Sequence, residues 1–469
     1  MTHDLDALLE AQRTAFHQAP RRSLKDRRAD LRRVEDMVTD HAQAWCTAVS
    51  ADFGHRAQIE TEILELSAVA RSARAMRGQL GQWMRPRSVA TPMLASPGSS
   101  KIRSEPKGVV GIVSPWNYPI QLALMPLLAA LAAGCRVMIK PSELTPNTNR
   151  LMADLIAKAF PANQVTIIEG GPEVAEAFSA LPFDHLMFTG STRIGRKVAT
   201  LAAKNMTPLT LELGGKSPVF VDPAYPLQDV VHPVAWGRFL NAGQTCVAPD
   251  YVLAIGGAER AQSIAQALIQ QAEAFYPRPH ENPDYSSIIA DHHYERLEAL
   301  VAEARAAGVT VLQAAHDPAM AKAARKFPPT VILDPPAHLG VMREEIFGPI
   351  LPVLSMEGVE TALAHVRSGG HPLALYVFSQ KPAWVSHVLD HSQSGGVTVN
   401  GTMLHLANDN LPFGGVGESG YGAYRGRRGF EEFSHARSVF MTGKWHSTRL
   451  AAPPYGKLAR KIADMALKL

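Results

Sequence analysis

Three side chains belong to types that do chemistry, and each sits beside a break in regular structure. Cys246 lies in NAGQTCVAP, after a helical run and between a glycine and a proline. Glu212, in LELGGKSP, ends a strand-like run and is followed by Gly-Gly-Lys. Asn117, in PWNYP, follows another such run, with prolines on both sides fixing the backbone. A thiol, a carboxylate and an amide are raw material for nucleophilic and acid–base chemistry, and strand ends in α/β sheets are where ligands and catalytic groups collect. Each also has a plainer reading alone. Cys135, in AAGCRVM, and Cys46, beside Trp45, read as small buried hydrophobes, and a lone Cys246 would too. The fold has to bring the three together.

The elements that would do so alternate. Short β-branched runs occur at 109–114, 136–140, 165–169 and 185–189, separated by helical stretches at 120–134, 147–160 and 173–180. A second set follows at 218–222, 251–255, 309–312, 330–333, 350–354, 373–378 and 396–400, with helices near 226–241, 258–274, 291–307 and 358–367. Strands alternating with helices predict βαβ units and parallel sheets covered on both faces. The pattern predicts two doubly wound α/β domains in tandem, changing near Leu211–Lys216. Ahead of them, apolar residues from Leu24 to Trp45 recur at helical spacing, which predicts one long amphipathic helix over Ser23–Asp52 with Ser23 as N-cap. Residues 54–83 read as further helix and 86–100 as loop.

Composition excludes several classes. The 469 residues carry 47 basic and 43 acidic side chains, a net +4, which makes no field suited to nucleic acid. The arginines and lysines of 21–33 alternate with acids and read as a solvated helix face. Only 19% of residues are charged, which suits a large core rather than disorder. Three scattered cysteines exclude a disulfide framework and suggest a reducing compartment. The N-terminus has early acids and no apolar core of a signal peptide. The segment 120–135, interrupted by Gln121 and Pro126, reads as a buried helix rather than a membrane span. Cytoplasmic and soluble is the expectation. His292 and His293 have no partner at metal-ligand spacing and read as surface residues; no metal is expected.

Two glycine motifs compete for a phosphate-binding role. Gly415–Gly420 fits G-x-G-x-x-G, but it follows the polar stretch NDNLPF and leads into more glycine, so it reads as a loop. Phe188–Gly195, FTGSTRIG, directly follows a strand and precedes a helical stretch. There Gly190 can turn, and Ser191 and Thr192 can cap the helix and offer hydroxyls to phosphate.

PWNYP, KPSELTP, FTGST, LELGGKSP, GQTC and EEIFGP occur in the order found in the aldehyde dehydrogenase superfamily, which the chain resembles from about Ser104 to Val439. NDNLPFGGVGESGYGAYRG and FSHARSV resemble its class 3 branch. ADFGHR and the tail PPYGKLARKIADMALKL resemble the bacterial coniferyl aldehyde dehydrogenases within it. The resemblance implies a Rossmann-like cofactor domain with the N-terminal helices (1–211), a catalytic domain (212–405), and a return segment (406–469) with oligomerisation strand and tail. It implies that Cys246 is the nucleophile in an electropositive setting that lowers its pKa, that Glu212 is a general base with a raised pKa, and that Asn117 is an oxyanion donor. Lys140 and Glu143 would hold the adenosine ribose, favouring NAD with NADP tolerated. Gly190, Ser191 and Gly195 would form the pyrophosphate turn, with Glu345 on the nicotinamide ribose and Phe347 packing behind it. Tyr118, Trp236 and Thr245 would line the aldehyde tunnel, suiting a flat aromatic substrate, with a medium-chain aliphatic aldehyde as the alternative. A homodimer is implied, paired through strands near 98–106 and after Gly426, with the tail's Leu458, Ile462, Met465, Ala466 and Leu469 packed on the partner. A CoA-acylating relative is disfavoured by Glu212, and a non-catalytic one by the intact trio.

Overall fold

The computed structural model describes residues 4–92, 95–444 and 452–467. Helix α1 (Leu5–Gln18) opens the chain, capped by Asp4. The buried Gln12 amide ties it to the Val137 and Ala162 carbonyls, both at 3.1 Å. Helix α2 (Leu24–Thr39) starts at the expected Ser23, which exchanges hydrogen bonds with Asp26 in a capping box. It does not run on to Asp52. A break at Asp40–His41 separates it from α3 (Ala42–Phe53). The Thr39 hydroxyl turns back to the Glu35 carbonyl at 3.2 Å, and the reversal lets the Trp45 indole donate to the Met37 carbonyl at 3.1 Å. Both helices face one core through Leu31, Val34, Val38, Trp45 and Val49, so the apolar period reads straight through the break. The expected helix over 54–83 is α4 (Gln58–Thr61), one wide turn (Glu62–Leu66) and α5 (Ser67–Trp83).

Strands follow in three groups. β1 (Arg87–Val89) and β2 (Gly98–Pro106) pair antiparallel. The stretch expected as loop therefore contains a strand, specified by its partner rather than by its own composition. β3 (Val109–Val113), β4 (Arg136–Lys140), β5 (Val165–Ile167), β6 (His185–Gly190) and β7 (Leu209–Leu213) form a parallel sheet. β8 (Pro218–Val221), β9 (Tyr251–Ile255), β10 (Thr310–Gln313), β11 (Thr330–Leu333), β12 (Ile350–Met356), β13 (Ala374–Phe378) and β14 (Gly396–Val399) form a second, parallel apart from its edge strand β10. The chain then returns. β15 (Gly420–Tyr421) adds antiparallel to β7, and β16 (Ser434–Thr442) pairs along all of β2. The G-x-G-x-x-G stretch is thus more than a loop: it holds a short turn at Gly417–Ser419 and ends in β15.

Helix α6 (Gln121–Ala133) is buried from Leu122 to Ala133, Pro126 included, in keeping with its apolar composition. Burying each of its leucines contributes about 2 kcal/mol. Among the described residues no helix is long and apolar enough to cross a membrane. Because β3, β4, β6 and β7 run parallel, the loops that leave them, beginning near Ser114, Pro141, Ser191 and Gly214, gather along one edge of the sheet. The helix Lys457–Ala466 buries no side chain, and Leu469 lies outside the described residues.

Candidate active site

The Cys246 loop is built on strain. The helix Leu227–Phe239 gives way to a tight turn, Leu240–Gly243, in which Asn241 and Ala242 hold φ of 51° and 49°, conformations costing on the order of 1–2 kcal/mol each. Buried hydrogen bonds hold them there. Asn241 N donates to Glu60 Oε1 at 3.1 Å, and its side chain donates to the Asn117 carbonyl at 3.2 Å. Gln244 donates to the Asn241 and Ser287 carbonyls and accepts from Ile289 N, all within 3.1 Å. Asn117 is itself 2% exposed, and its Nδ2 donates to the Gln244 carbonyl at 3.1 Å. The Tyr118 hydroxyl meets Thr245 Oγ1 at 2.7 Å. Asn117, Tyr118 and Thr245 are therefore tied to the two residues that precede Cys246.

A buried charge cluster underlies this loop. The Arg56 guanidinium, fully covered, pairs with Glu65 at 3.0 Å, donates to the Asn117 carbonyl at 3.2 Å and lies 4.9 Å over the Tyr118 ring. The other Glu65 oxygen accepts from Ile120 N and Gln121 N at 2.8 and 3.0 Å, capping α6. Burial pushes the pKa of both Glu60 and Glu65 up, with Arg56 pulling the other way. Arg56→Met is expected to strand the Glu65 charge and cost about 3–5 kcal/mol, read as a lowered urea midpoint with an unchanged slope.

Glu212 lies on β7, where Gly420 pairs opposite it. At Gly420 φ is 121°, and a Cβ would fall 1.9 Å from the Leu211 carbonyl oxygen, so only glycine admits this pairing. Both Glu212 carboxylate oxygens are buried and, among the described residues, have no hydrogen-bond partner. Burial holds the Glu212 pKa well above the ordinary carboxylate value, opposed by Arg425 and reinforced by Glu432. Cys246 departs from expectation. Its thiol is pushed up to about 12, first by burial and then by the charges of Glu345 and Glu212, with Arg425 only partly offsetting them. The charges that act on it most strongly are those of two carboxylates, not of a cation. Glu345 is raised to about 8 by burial and by Asp250, and Gly215 N–H donates to it.

Of the remaining predicted residues, Lys140, Glu143, Gly190, Ser191 and Gly195 end or follow strands of the first sheet. Lys140 ends β4, buried, with Nζ donating to the Pro141 carbonyl at 2.6 Å; exposed Glu143 follows it. Gly190 ends β6, and Ser191 caps the helix Thr192–Ala203 by accepting from Ile194 N at 3.4 Å. A Cβ on Gly195 would lie 2.6 Å from Leu213, so glycine lets that helix approach β7. A helix N-terminus with a hydroxyl cap, a lysine and a carboxylate along one sheet edge fits a dinucleotide's pyrophosphate and ribose. Phe347 packs edge-on to Trp116 with centroids 5.4 Å apart, next to Asn117. Trp236, half-buried, packs against the main core from the helix Leu227–Phe239. His293 is not a plain surface residue: its ring lies 5.2 Å from that of Trp116, and burial lowers its pKa to about 4.

Sequence reasoning passed over Arg56, Glu60, Glu65, Gln244 and Arg425. The available signal was a set of charges set into otherwise apolar helix in RAQIETEILEL, and an arginine among the glycines of YGAYRG.

A profile of the aldehyde dehydrogenase family matches residues 1–439. Coniferyl aldehyde dehydrogenase of a Pseudomonas species is 39% identical over 467 residues, covering 99% of this chain and 96% of that relative. The rat protein named aldehyde dehydrogenase, dimeric NADP-preferring is 36% identical over 92% of each chain. The substrate-bound state of Staphylococcus aureus AldH superposes with a TM-score of 0.93 at 34% identity, covering 99% of this chain and all of that one. An edge-aligned glycine-turn helix, a buried glutamate and a strained cysteine loop thus recur in a chain that belongs to the aldehyde dehydrogenase family.

Proposed function

We propose that this chain oxidises an aldehyde to the carboxylic acid through a thiohemiacetal and a thioester on Cys246, with an aromatic phenylpropenal such as coniferyl aldehyde as the favoured substrate. The observation that carries this is the unpartnered, buried Glu212 carboxylate beside the Cys246 thiol. A carboxylate with a raised pKa is a base matched to taking a proton near neutral pH. Cys246 Sγ bonds to the aldehyde carbon as the thiolate, its proton having gone to solvent. The new oxyanion accepts from Asn117 Nδ2 and the Cys246 backbone N–H, each donor worth about 3–4 kcal/mol of barrier. When bound, the nicotinamide supplies the hydride acceptor; Lys140, Glu143, Gly190, Ser191, Gly195 and Glu345 are the residues that would hold the dinucleotide, with Phe347 behind it. Water then adds to the thioester carbon, Glu212 takes its proton, and the carbon–sulfur bond breaks.

The exposed Glu143 carboxylate beside Lys140 supports NAD, since an acid there hydrogen-bonds ribose hydroxyls and repels a 2′-phosphate; NADP is admitted as the second choice. Tyr118, Thr245 and Trp236 are proposed as tunnel lining, with the aromatic pair Trp116 and Phe347 supporting a flat substrate. A cytoplasmic homodimer is proposed. β16 is an edge strand with Phe440 and Met441 about half exposed, a surface that pairing would cover, and the tail is proposed to pack on the partner. We keep the division 1–211, 212–405 and 406–469 as the proposed cofactor, catalytic and return segments.

The test is NADH formation at saturating NAD with coniferyl aldehyde and with octanal. The phenylpropenal is expected to give at least about tenfold higher kcat/KM, a difference of about 1.4 kcal/mol in transition-state binding. A higher value for octanal would leave the oxidation standing and remove the aromatic preference.

A further inference from the structure

Beside Glu212 runs a chain of hydrogen bonds that the steps above do not use. Glu432, on the helix Gly426–Glu432, accepts from Thr210 Oγ1 at 2.9 Å. The same hydroxyl meets His185 Nε2 at 2.9 Å, and His185 Nδ1 meets Lys107 Nζ at 2.9 Å. Thr210 and His185 are fully covered, Glu432 is partly covered, and Lys107, between β2 and β3, reaches partly into solvent. No main-chain amide interrupts the series, and every member is a group that can both take and give a proton. Thr210 and Glu212 alternate with Leu211 and Leu213 on β7. The two leucines enter the core on one side, so Thr210 and Glu212 share the other, about 6.6 Å apart along the strand. One water molecule or a swing of the glutamate covers that separation.

We propose that Glu432, Thr210, His185 and Lys107 form a proton path that drains Glu212 to solvent after thioester hydrolysis. The proposal rests on Glu212 being the base. Each hydrolysis puts one proton on Glu212, and that proton must leave before the next turnover. Among the described residues Glu212 has no hydrogen-bond partner of its own. Of the charged groups that act on it, Arg425 is always protonated and cannot accept, which leaves Glu432. The Glu212 proton passes to the Glu432 carboxylate. Glu432 gives a proton to Thr210 Oγ1 as the threonine gives its own to His185 Nε2. His185 then releases the proton at Nδ1 to the Lys107 amine, and Lys107 hands it to bulk water. Charges and protons balance, and the chain resets by reversing its donors. Burial keeps His185 neutral, with a pKa of about 3, so the ring carries one donor and one acceptor, and it lowers the pKa of Lys107 toward a neutral amine.

The test is the rate of the turnovers that follow the first NADH burst, measured with its solvent isotope effect. Glu432→Gln keeps an acceptor for Thr210 but cannot carry a proton, and Thr210→Val breaks the chain at its middle. Both are expected to leave the pre-steady-state NADH burst intact, to slow the turnovers after the first about tenfold or more, and to raise the solvent isotope effect on steady turnover. Thr210→Ser, which restores the hydroxyl, is expected to recover it. A purely structural role would lower the burst and the melting temperature together without touching the isotope effect. If Thr210→Val does not fold, Glu432→Gln decides alone. Steady turnover at the wild-type rate in Glu432→Gln would overturn the path and leave Glu212 as base. Loss of the burst in the unmodified protein would instead remove the hydrolytic reading beneath it.

Discussion

Cys246→Ser is expected to lower aldehyde oxidation at least about a thousandfold while leaving the thermal midpoint unchanged. A serine hydroxyl is a far weaker nucleophile than a thiolate, and removing a covalent nucleophile forfeits the whole intermediate rather than one contact. The setting of the thiol adds a second, pH-dependent readout. With the thiol held up to about 12 by burial and by Glu345 and Glu212, its thiolate fraction below that value rises about tenfold per pH unit. Alkylation of Cys246 by iodoacetamide in the cofactor-free protein is therefore expected to be slower at pH 7 than that of an ordinary exposed thiol and to climb between pH 7 and 9 without a plateau. A plateau setting in just above pH 9 would show a thiol unshifted from its ordinary value, and one reached by pH 8 a lowered one. Retained turnover in Cys246→Ser would move the nucleophile elsewhere.

Glu212→Gln is expected to separate the two halves of the reaction. The substitution keeps size and removes the base, so one NADH per site should still form in a burst while steady turnover falls about 100- to 10,000-fold. The sign of the pH dependence follows from burial. A carboxyl with a raised pKa gains its basic form only as pH rises through that raised value, so wild-type deacylation should increase with pH above the ordinary carboxylate range, and the glutamine variant should lose that limb. Among the described residues neither oxygen of the Glu212 carboxylate meets a hydrogen-bond partner. Replacing it with a neutral amide is therefore expected to stabilise the fold slightly rather than weaken it. A variant with less activity and a higher melting temperature would carry the signature of a group kept for chemistry.

How much of this was legible in the sequence depends on the range of the interaction that decides each feature. The core of the first sheet was readable because β3, the middle of β4 and α6 beyond Gln121 are buried on every side, so only Arg136 and Lys140 at the ends of β4 break a run of apolar residues. Ser23 was readable as a cap because its partner Asp26 is three residues away. The break at Asp40–His41 was not, since the Trp45 indole that closes it reaches back to a main-chain carbonyl of an unremarkable residue, Met37. β1 has no strand signature of its own and exists through β2. At the site, the positions of Cys246, Glu212 and Asn117 could be picked out by motif, but the groups that fix them could not. Arg56 and Glu65 act on residues 55 to 61 positions away, and Glu60 on residues 181 and 226 away. The expected lowering of the Cys246 pKa failed for the same reason: the sign of the local field depends on where Glu345 and Arg425 fall relative to Glu212, which no local pattern encodes.

The two-residue strand β15 carries a consequence for how the protein is made. It closes the edge of the first sheet by pairing Gly420 with Glu212, and the helix that follows it brings Glu432 to Thr210. Segments some two hundred residues apart in the chain must therefore meet before the glutamate has its surroundings, a contact of the slow, non-local kind. During synthesis the Cys246 loop, its arginine–glutamate support and both sheets can assemble while the last tenth of the polypeptide is still being translated. A truncated or ribosome-bound product can thus hold a folded body with a reactive thiol and no properly enclosed base. Such a chain could be acylated but not released, and the finished C-terminal segment is what turns a trap into a catalyst.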